Sequence, residues 1–189
     1  MADAASPAVF LDRDNTIIKD AVYSVDPDGF APLPGAVGAL KRLIAAGYRI
    51  VVITNQSGVA RGVFTEEALR AFHEHMRDWF AQGGAPLDGV YYCPHYTEGT
   101  ATEFVKECDC RKPAPGMLLR AAEELHLDLS RSWMVGDRPA DVAAGRAAGC
   151  RTIRVLTGPA PLPDDPQPDY LAENLPAAAD MILRQSDEH

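Results

Sequence analysis

The chain has 189 residues, 47% of them hydrophobic and 24% charged, which suits one soluble domain with its own core. Its 27 acids against 18 Lys and Arg leave a formal charge of −9, which argues against nucleic-acid binding by phosphate neutralisation. No apolar run reaches membrane-spanning length, and the start lacks the basic region and apolar core of a signal peptide, so a cytoplasmic location with no membrane partner is expected.

In chain order, residues 8–11 form a short apolar run that ends at Asp12. Residues 34–47 begin with Pro and end with Gly, and place Val37, Leu40, Leu43 and Ile44 on one helical face. Residues 48–54 read as a buried strand. Residues 65–84 open on an N-cap Thr65 followed by two acids, and predict a helix with the stripe Leu69, Phe72, Met76, Trp79 and Phe80. His73 and His75 fall on different faces of that helix and read as solvated. A strand at 89–93, a helix at 115–127, a strand at 132–136, a helix at 139–149 and a strand at 150–156 follow. Residues 157–169 are rich in Pro and Asp and read as loop; 175–185 fit a last surface helix.

Strands alternating with helices predict an α/β fold: a Rossmann-like, mainly parallel sheet with helices on both faces, in a single domain over 1–189. The polar clusters DRDNT, TNQSG and GDRPAD each follow a strand, where open α/β sheets bind ligands. Asp12 and Asp14, two apart in extended backbone, point to the same side. Such a pair repels itself, and a hard divalent cation removes the conflict. Asp137 and Asp141 supply further acids at another strand end. The bland alternative for either cluster alone is N-caps and turns.

Three of the four cysteines lie in one segment, Cys93, Cys108 and Cys110, with His95 two residues after the first. Two close pairs joined by a loop over about 93–110 form the pattern of a structural Cys₃His zinc site, against incidental thiols as the alternative. Cys150 stands apart and reads as a small buried hydrophobe.

The stretches FLDRDNT, VVITNQSG, CRKPAPGM and VGDRPAD resemble, in order, the four motifs of the haloacid dehalogenase (HAD) superfamily of phosphatases, over about residues 8–156. The resemblance implies a HAD-like fold, here with a minimal cap and a zinc-binding loop. It implies that Asp12 is the nucleophile that becomes phosphorylated and that Asp14 is the general acid and base. Catalytic Mg²⁺ would be held by Asp12, the Asp14 backbone carbonyl and Asp137, and Thr54 and Lys112 would hold the phosphoryl oxygens. Asp141 is expected to support the hydrogen-bond network.

Within the superfamily, TNQSGVARGVFTEE and GVYYCPH…CDCRKPAPGM are similar to the D-glycero-D-manno-heptose 1,7-bisphosphate 7-phosphatases. That similarity implies removal of the 7-phosphate in the biosynthesis of nucleotide-activated heptose, by a monomer acting on a small sugar phosphate. It implies substrate contacts from Asp20, Tyr23, Asn55, Gln56, Ser57, Arg111 and Arg138, with Arg111 suited to a second anionic group. The alternatives are a phosphatase of the same superfamily acting on histidinol phosphate or another sugar phosphate, and a catalytically silent, zinc-stabilised binding module. Two departures stand out. Asn15 replaces the Gly usual after the second Asp, a residue that tolerates left-handed backbone. Residues 20–23 read DAVY where the family reads Asp-His-Gly-Tyr.

Overall fold

In the computed structural model, which describes residues 5–20 and 25–186, all strands belong to one sheet. They are β1 (Ala8–Leu11), β2 (Arg49–Asn55), β3 (Gly89–Cys93), β4 (Trp133–Gly136), β5 (Arg151–Val155) and β6 (Tyr170–Ala172). Every pairing is parallel, in the order β3-β2-β1-β4-β5-β6. Parallel neighbours need crossovers. Four of them contain α1 (Ala36–Ala45), α2 (Glu66–Gln82), α3 (Gly116–Leu125) and α4 (Pro139–Ala148), and α5 (Leu175–Ser186) follows the last strand. The expected α/β architecture is borne out.

The two-residue period of the strands sorts the core onto two faces. Val9, Leu11, Ile50, Val52, Trp133 and Val135 pack with α1, α2 and α5. Ala8, Phe10, Val51, Ile53 and Met134 pack with α3 and α4. Continuous apolar runs such as AVFL therefore reflect strands covered on both sides. Strand order reverses at the β1–β4 pair, because the chain builds outward through β2 and β3 and then returns to the other side of β1. The carboxyl ends flanking such a reversal form a crevice. Between β1 and α1, and between β3 and α3, the described residues contain only single turns of 3-10 helix at Pro27–Gly29 and Thr102–Phe104, so the cap is minimal.

Three elements differ from the sequence reading. β6 lies within no predicted strand; its three residues, Tyr170–Ala172, are too short a run to read as a strand, and Leu171 is 49% exposed. The last helix is not a surface helix: Leu175, Ala178, Ala179 and Ile182 are at most 2% exposed and complete the first core. The stripe of α2 holds at Leu69, Phe72, Met76 and Phe80, but Trp79 is 36% exposed and His73, 3% exposed, joins the buried face. Ile182→Ala should therefore cost about 2–5 kcal/mol, the range for truncating a large core aliphatic. Urea denaturation should read this as a lower midpoint with an unchanged slope, whereas a surface position would shift it hardly at all.

Candidate active site

The loop after β1 is tied to β4 by a hydrogen bond from the Asp12 amide to the Val135 carbonyl (2.9 Å). This brings Asp12, which follows β1, beside Asp137, which follows β4. Asp12, Asp137 and Asp141 offer carboxylate oxygens that all lie within 4.8 Å of one another, and all three residues are buried. Lys112 enters this cluster from the segment before α3. Its ammonium donates to Asp12 Oδ1 (2.7 Å) and the Ile53 carbonyl (2.7 Å) and pairs with Asp141 Oδ1 (2.6 Å). Burial alone would favour the neutral amine, but the two carboxylates outweigh it and hold the Lys112 pKa above the ordinary lysine range.

Asp141 closes the first turn of α4 by accepting from the Arg138 amide (2.9 Å), so one carboxylate caps the helix and pairs with Lys112. Its approach requires Gly136, where an ideal Cβ would fall 2.3 Å from Asp141 Oδ2. Burial pushes the Asp141 carboxyl up to about 6; Lys112 opposes the rise and Asp12 adds to it. Asp137 is fully buried, and neither of its oxygens has a hydrogen-bond partner among the described residues. Burial first, then Asp12 and Asp141, push its carboxyl up to about 7. Buried carboxylate oxygens are seldom left without partners. Three converging carboxylates with one such orphan fit a hard divalent cation.

Asp14 lies outside that trio and in a different environment. Arg13 Nε donates to Asp14 Oδ1 (3.1 Å) and Nη2 to Oδ2 (3.0 Å). Gln56 Nε2 donates to Asp14 Oδ2 (3.1 Å) and to Thr54 Oγ1 (2.8 Å). With its oxygen accepting from Gln56, the Thr54 hydroxyl proton is free to be donated to a ligand. The Asp14 carboxyl is raised above its ordinary value, chiefly by burial and also by Asp12, against the lowering effect of Arg13.

The remaining predicted residues fall around this centre. Asn55 is engaged with Lys112: Nδ2 donates to the Lys112 carbonyl (2.9 Å) and Oδ1 accepts the Lys112 amide (3.0 Å). Arg111 donates to the His95 carbonyl (3.2 Å) and lies over the Tyr96 ring, which Arg61 also approaches. Arg138 is more than half exposed, with Nε 3.9 Å from Asp137 Oδ2. The Ser57 carbonyl accepts from the Arg61 amide (3.0 Å). Asn15 is left-handed (φ 54°), as its replacement of Gly requires, and its side chain accepts from the Asp20 amide (3.4 Å). Tyr23 lies outside the described residues.

Several supporting residues were not singled out in the sequence. Arg154, buried in β5, donates to the Asp137 carbonyl (3.2 Å) and the Pro159 carbonyl (3.1 Å) and pairs with Asp165 (2.6 Å). It thereby folds the Pro-rich loop over the site, and Gly158 comes so close that an ideal Cβ would fall 1.9 Å from Asp137 Oδ2. His73, read as solvated, is buried with Nε2 3.1 Å from Arg13 Nη1.

The cysteine segment forms a second cluster. Cys93, His95, Cys108 and Cys110 place one donor atom each within 4.8 Å of the others. The Cys110 sulfur lies 3.2 Å from that of Cys93, 3.3 Å from that of Cys108 and 3.3 Å from His95 Nδ1. Hydrogen bonding with Cys93 first, then with Cys108 and His95, pulls the Cys110 thiol down to about 5, against its burial. Three sulfurs and one imidazole nitrogen in a closed set could hold zinc. Cys150 is buried in the second core, where desolvation pushes its thiol up to about 12.

This arrangement has counterparts. A family model described as HAD-hydrolase-like matches residues 109–178. The D-glycero-beta-D-manno-heptose-1,7-bisphosphate 7-phosphatase of Pasteurella multocida is 46% identical over 172 residues, 89% of this chain and 92% of that protein. Its Escherichia coli K12 counterpart is 46% identical over 179 residues, 94% of this chain and 88% of that protein. The chain belongs to their family of HAD-like phosphatases. Among solved structures, the D,D-heptose 1,7-bisphosphate phosphatase from B. bronchiseptica, complexed with magnesium and phosphate, matches with a TM-score of 0.79 at 33% identity, covering 95% of this chain and 99% of that one. Membership carries the hydrolase class with it, and the motif resemblance is borne out. No helix among the described residues is long and apolar enough to cross a membrane.

The raised carboxyls set a pH dependence of stability. Asp137 at about 7 in the folded chain, against 3.8 as its ordinary value, keeps a proton that the unfolded chain has released across that interval. The folded state binds more protons there, so this group's contribution falls as pH rises from about 4 to 7. His73 runs the other way: burial first, then Arg13, lower it to about 3, so its contribution grows as pH rises toward 6.5. Comparing Asp137→Asn with wild type cancels the His73 effect. In buffer without added divalent cations, the stability advantage of Asp137→Asn should widen between pH 5 and 8 in thermal melts. A flat difference would mean that Asp137 is not strained by its burial.

Proposed function

We propose that the chain hydrolyses the 7-phosphate of D-glycero-beta-D-manno-heptose-1,7-bisphosphate through an aspartyl-phosphate on Asp12. The observation that carries this reading is the Asp12 carboxylate itself. One oxygen is held by Lys112 at the topological switch point, and the carboxylate lies in one buried cluster with Asp137 and Asp141. Family membership and the names of the relatives supply the substrate.

Asp12 Oδ2 attacks phosphorus as the bond from phosphorus to the sugar oxygen breaks. Asp14, its carboxyl raised by burial, gives its proton to that leaving oxygen. Asp14 then takes a proton from water, which attacks phosphorus and breaks the bond to Asp12, releasing phosphate and restoring the Asp12 carboxylate and the protonated Asp14 carboxyl. The Thr54 hydroxyl and the Lys112 ammonium hold the non-bridging oxygens, so phosphoryl transfer is served by positioning and charge neutralisation. Magnesium, held by Asp12, Asp137 and the Asp14 backbone carbonyl, would neutralise charge on the transferring group. Zinc on Cys93, His95, Cys108 and Cys110 would be structural, fixing the loop that ends in Arg111 and Lys112. Arg111, Arg138, Gln56, Ser57, Asp20 and Tyr23 are proposed around the sugar. Asn55 acts on it through Lys112.

Asp12→Asn should lose at least about 10³-fold in phosphate release from the bisphosphate, since it removes the nucleophile. Asp14→Asn should lose about 10²–10⁴-fold, the usual worth of general acid–base catalysis. Phosphate release assays on the heptose bisphosphate, histidinol phosphate and a hexose phosphate compare kcat/KM directly. Turnover by Asp12→Asn, or a preference for histidinol phosphate, would overturn the assignment. Metal analysis of purified chain should find about one zinc per chain, lost in Cys108→Ser together with thermal stability, because the free energy of metal binding contributes to folding.

A further inference from the structure

The geometry points to His73 as a positioning residue for Asp14, acting through Arg13. The inference rests on the reading of Asp14 as general acid and base. Arg13 sits between the two aspartates, with its side chain 5% exposed. A buried guanidinium must place its N–H groups, and it can only donate. Nε and Nη2 fork onto the Asp14 carboxylate, and Nη1 lies 3.1 Å from His73 Nε2. The Phe72 ring packs 5.2 Å from the guanidinium carbon, which leaves the fork little freedom to pivot.

Since arginine never accepts, His73 Nε2 is the acceptor and the ring proton sits on Nδ1. Nδ1 is buried and has no partner among the described residues. Leaving a buried donor unpaired costs free energy, so the imidazole is oriented by what Nε2 does. The ring packs against Tyr92, with centroids 5.4 Å apart, which holds that orientation. Burial, then Arg13, keep the imidazole neutral down to about pH 3, so the acceptor is present throughout the working range. Without it Nη1 would be buried and unpaired, and the guanidinium would turn toward another acceptor. The fork on Asp14 would turn with it. A carboxyl that must reach the leaving oxygen within hydrogen-bond distance tolerates little displacement.

The test compares His73→Phe, which keeps a ring but has no acceptor, with His73→Gln, whose amide oxygen restores one. Two reactions separate positioning from general structure. Release of an alkoxide from the sugar bisphosphate needs the Asp14 proton. Single-turnover phosphorylation of the enzyme by p-nitrophenyl phosphate, whose leaving group departs readily, needs it far less. His73→Phe should lower kcat on the bisphosphate about tenfold, with KM and the p-nitrophenyl phosphate single turnover changed less than about twofold, and His73→Gln should recover most of the loss. Equal losses in both reactions, no loss in either, or no recovery with Gln would overturn the positioning role. If His73→Phe fails to fold, the smaller His73→Leu takes its place with the same expectations. A wild-type chain that forms no phosphoenzyme from p-nitrophenyl phosphate would instead overturn the reading of Asp12 and Asp14, and the inference with it.

Discussion

Every other feature of the site is arranged around one ammonium. Lys112 is buried between Asp12 and Asp141 at 2.7 and 2.6 Å and also donates to the Ile53 carbonyl. Burying such a charge costs several kcal/mol unless its partners and hydrogen bonds are nearly complete, and here all three donors are taken. Three carboxylates converge on the crevice, and the ammonium neutralises one of them. Arg138, half exposed and 3.9 Å from Asp137, screens weakly. Burial first, and this excess negative charge after it, raise Asp137 and Asp141, and the excess gives a divalent cation a reason to bind.

Lys112 must therefore be placed accurately, although it belongs to no helix or strand. Two devices hold it. Asn55, at the end of β2, pairs with both the amide and the carbonyl of Lys112, much as a neighbouring strand would. The Cys/His cluster ends two residues earlier at Cys110, while Cys93, the last residue of β3, anchors the same cluster to the sheet. The close approach of Gly116 to Asp109, where an ideal Cβ would fall 2.4 Å from the carbonyl oxygen, ties the start of α3 to the same segment. A long connection with little core of its own is held by hydrogen bonds and by a Cys/His cluster that could bind a metal.

The sequence made the fold legible because its strands are short, continuous apolar runs and its helices carry caps and Gly stops. The carboxylates and Lys112 were legible because they follow strand ends in recognisable motifs. What escaped were residues whose role depends on non-local contact. Arg154 looks like one more charge in a strand, yet it organises a loop through Asp165 and Pro159. β6 and the buried face of α5 depend on a sheet edge that no local pattern announces. His73 is a different case, because its signal was present. Leu69, His73, Met76 and Phe80 recur at helical spacing along one buried line of α2, and Trp79 stands at the exposed edge of that face.

The two kinds of carboxylate in the crevice need opposite electrostatics, and the fold separates them within three residues of chain. In the proposed mechanism Asp12 attacks as a carboxylate, and the Lys112 ammonium donates to it at 2.7 Å. Asp14 has to gain and lose a proton, so full neutralisation by a cation would defeat it. Arg13 offers it a fork, but burial and the charge of Asp12 still lift its pKa. Arg13 and Lys112 approach from different parts of the chain, one from the loop after β1 and the other from the segment ahead of α3, so each carboxylate pairs with its own cation. A single shared cation would move both in the same direction. Placing an arginine between the two aspartates gives two acids, two residues apart, different cationic partners in one crevice.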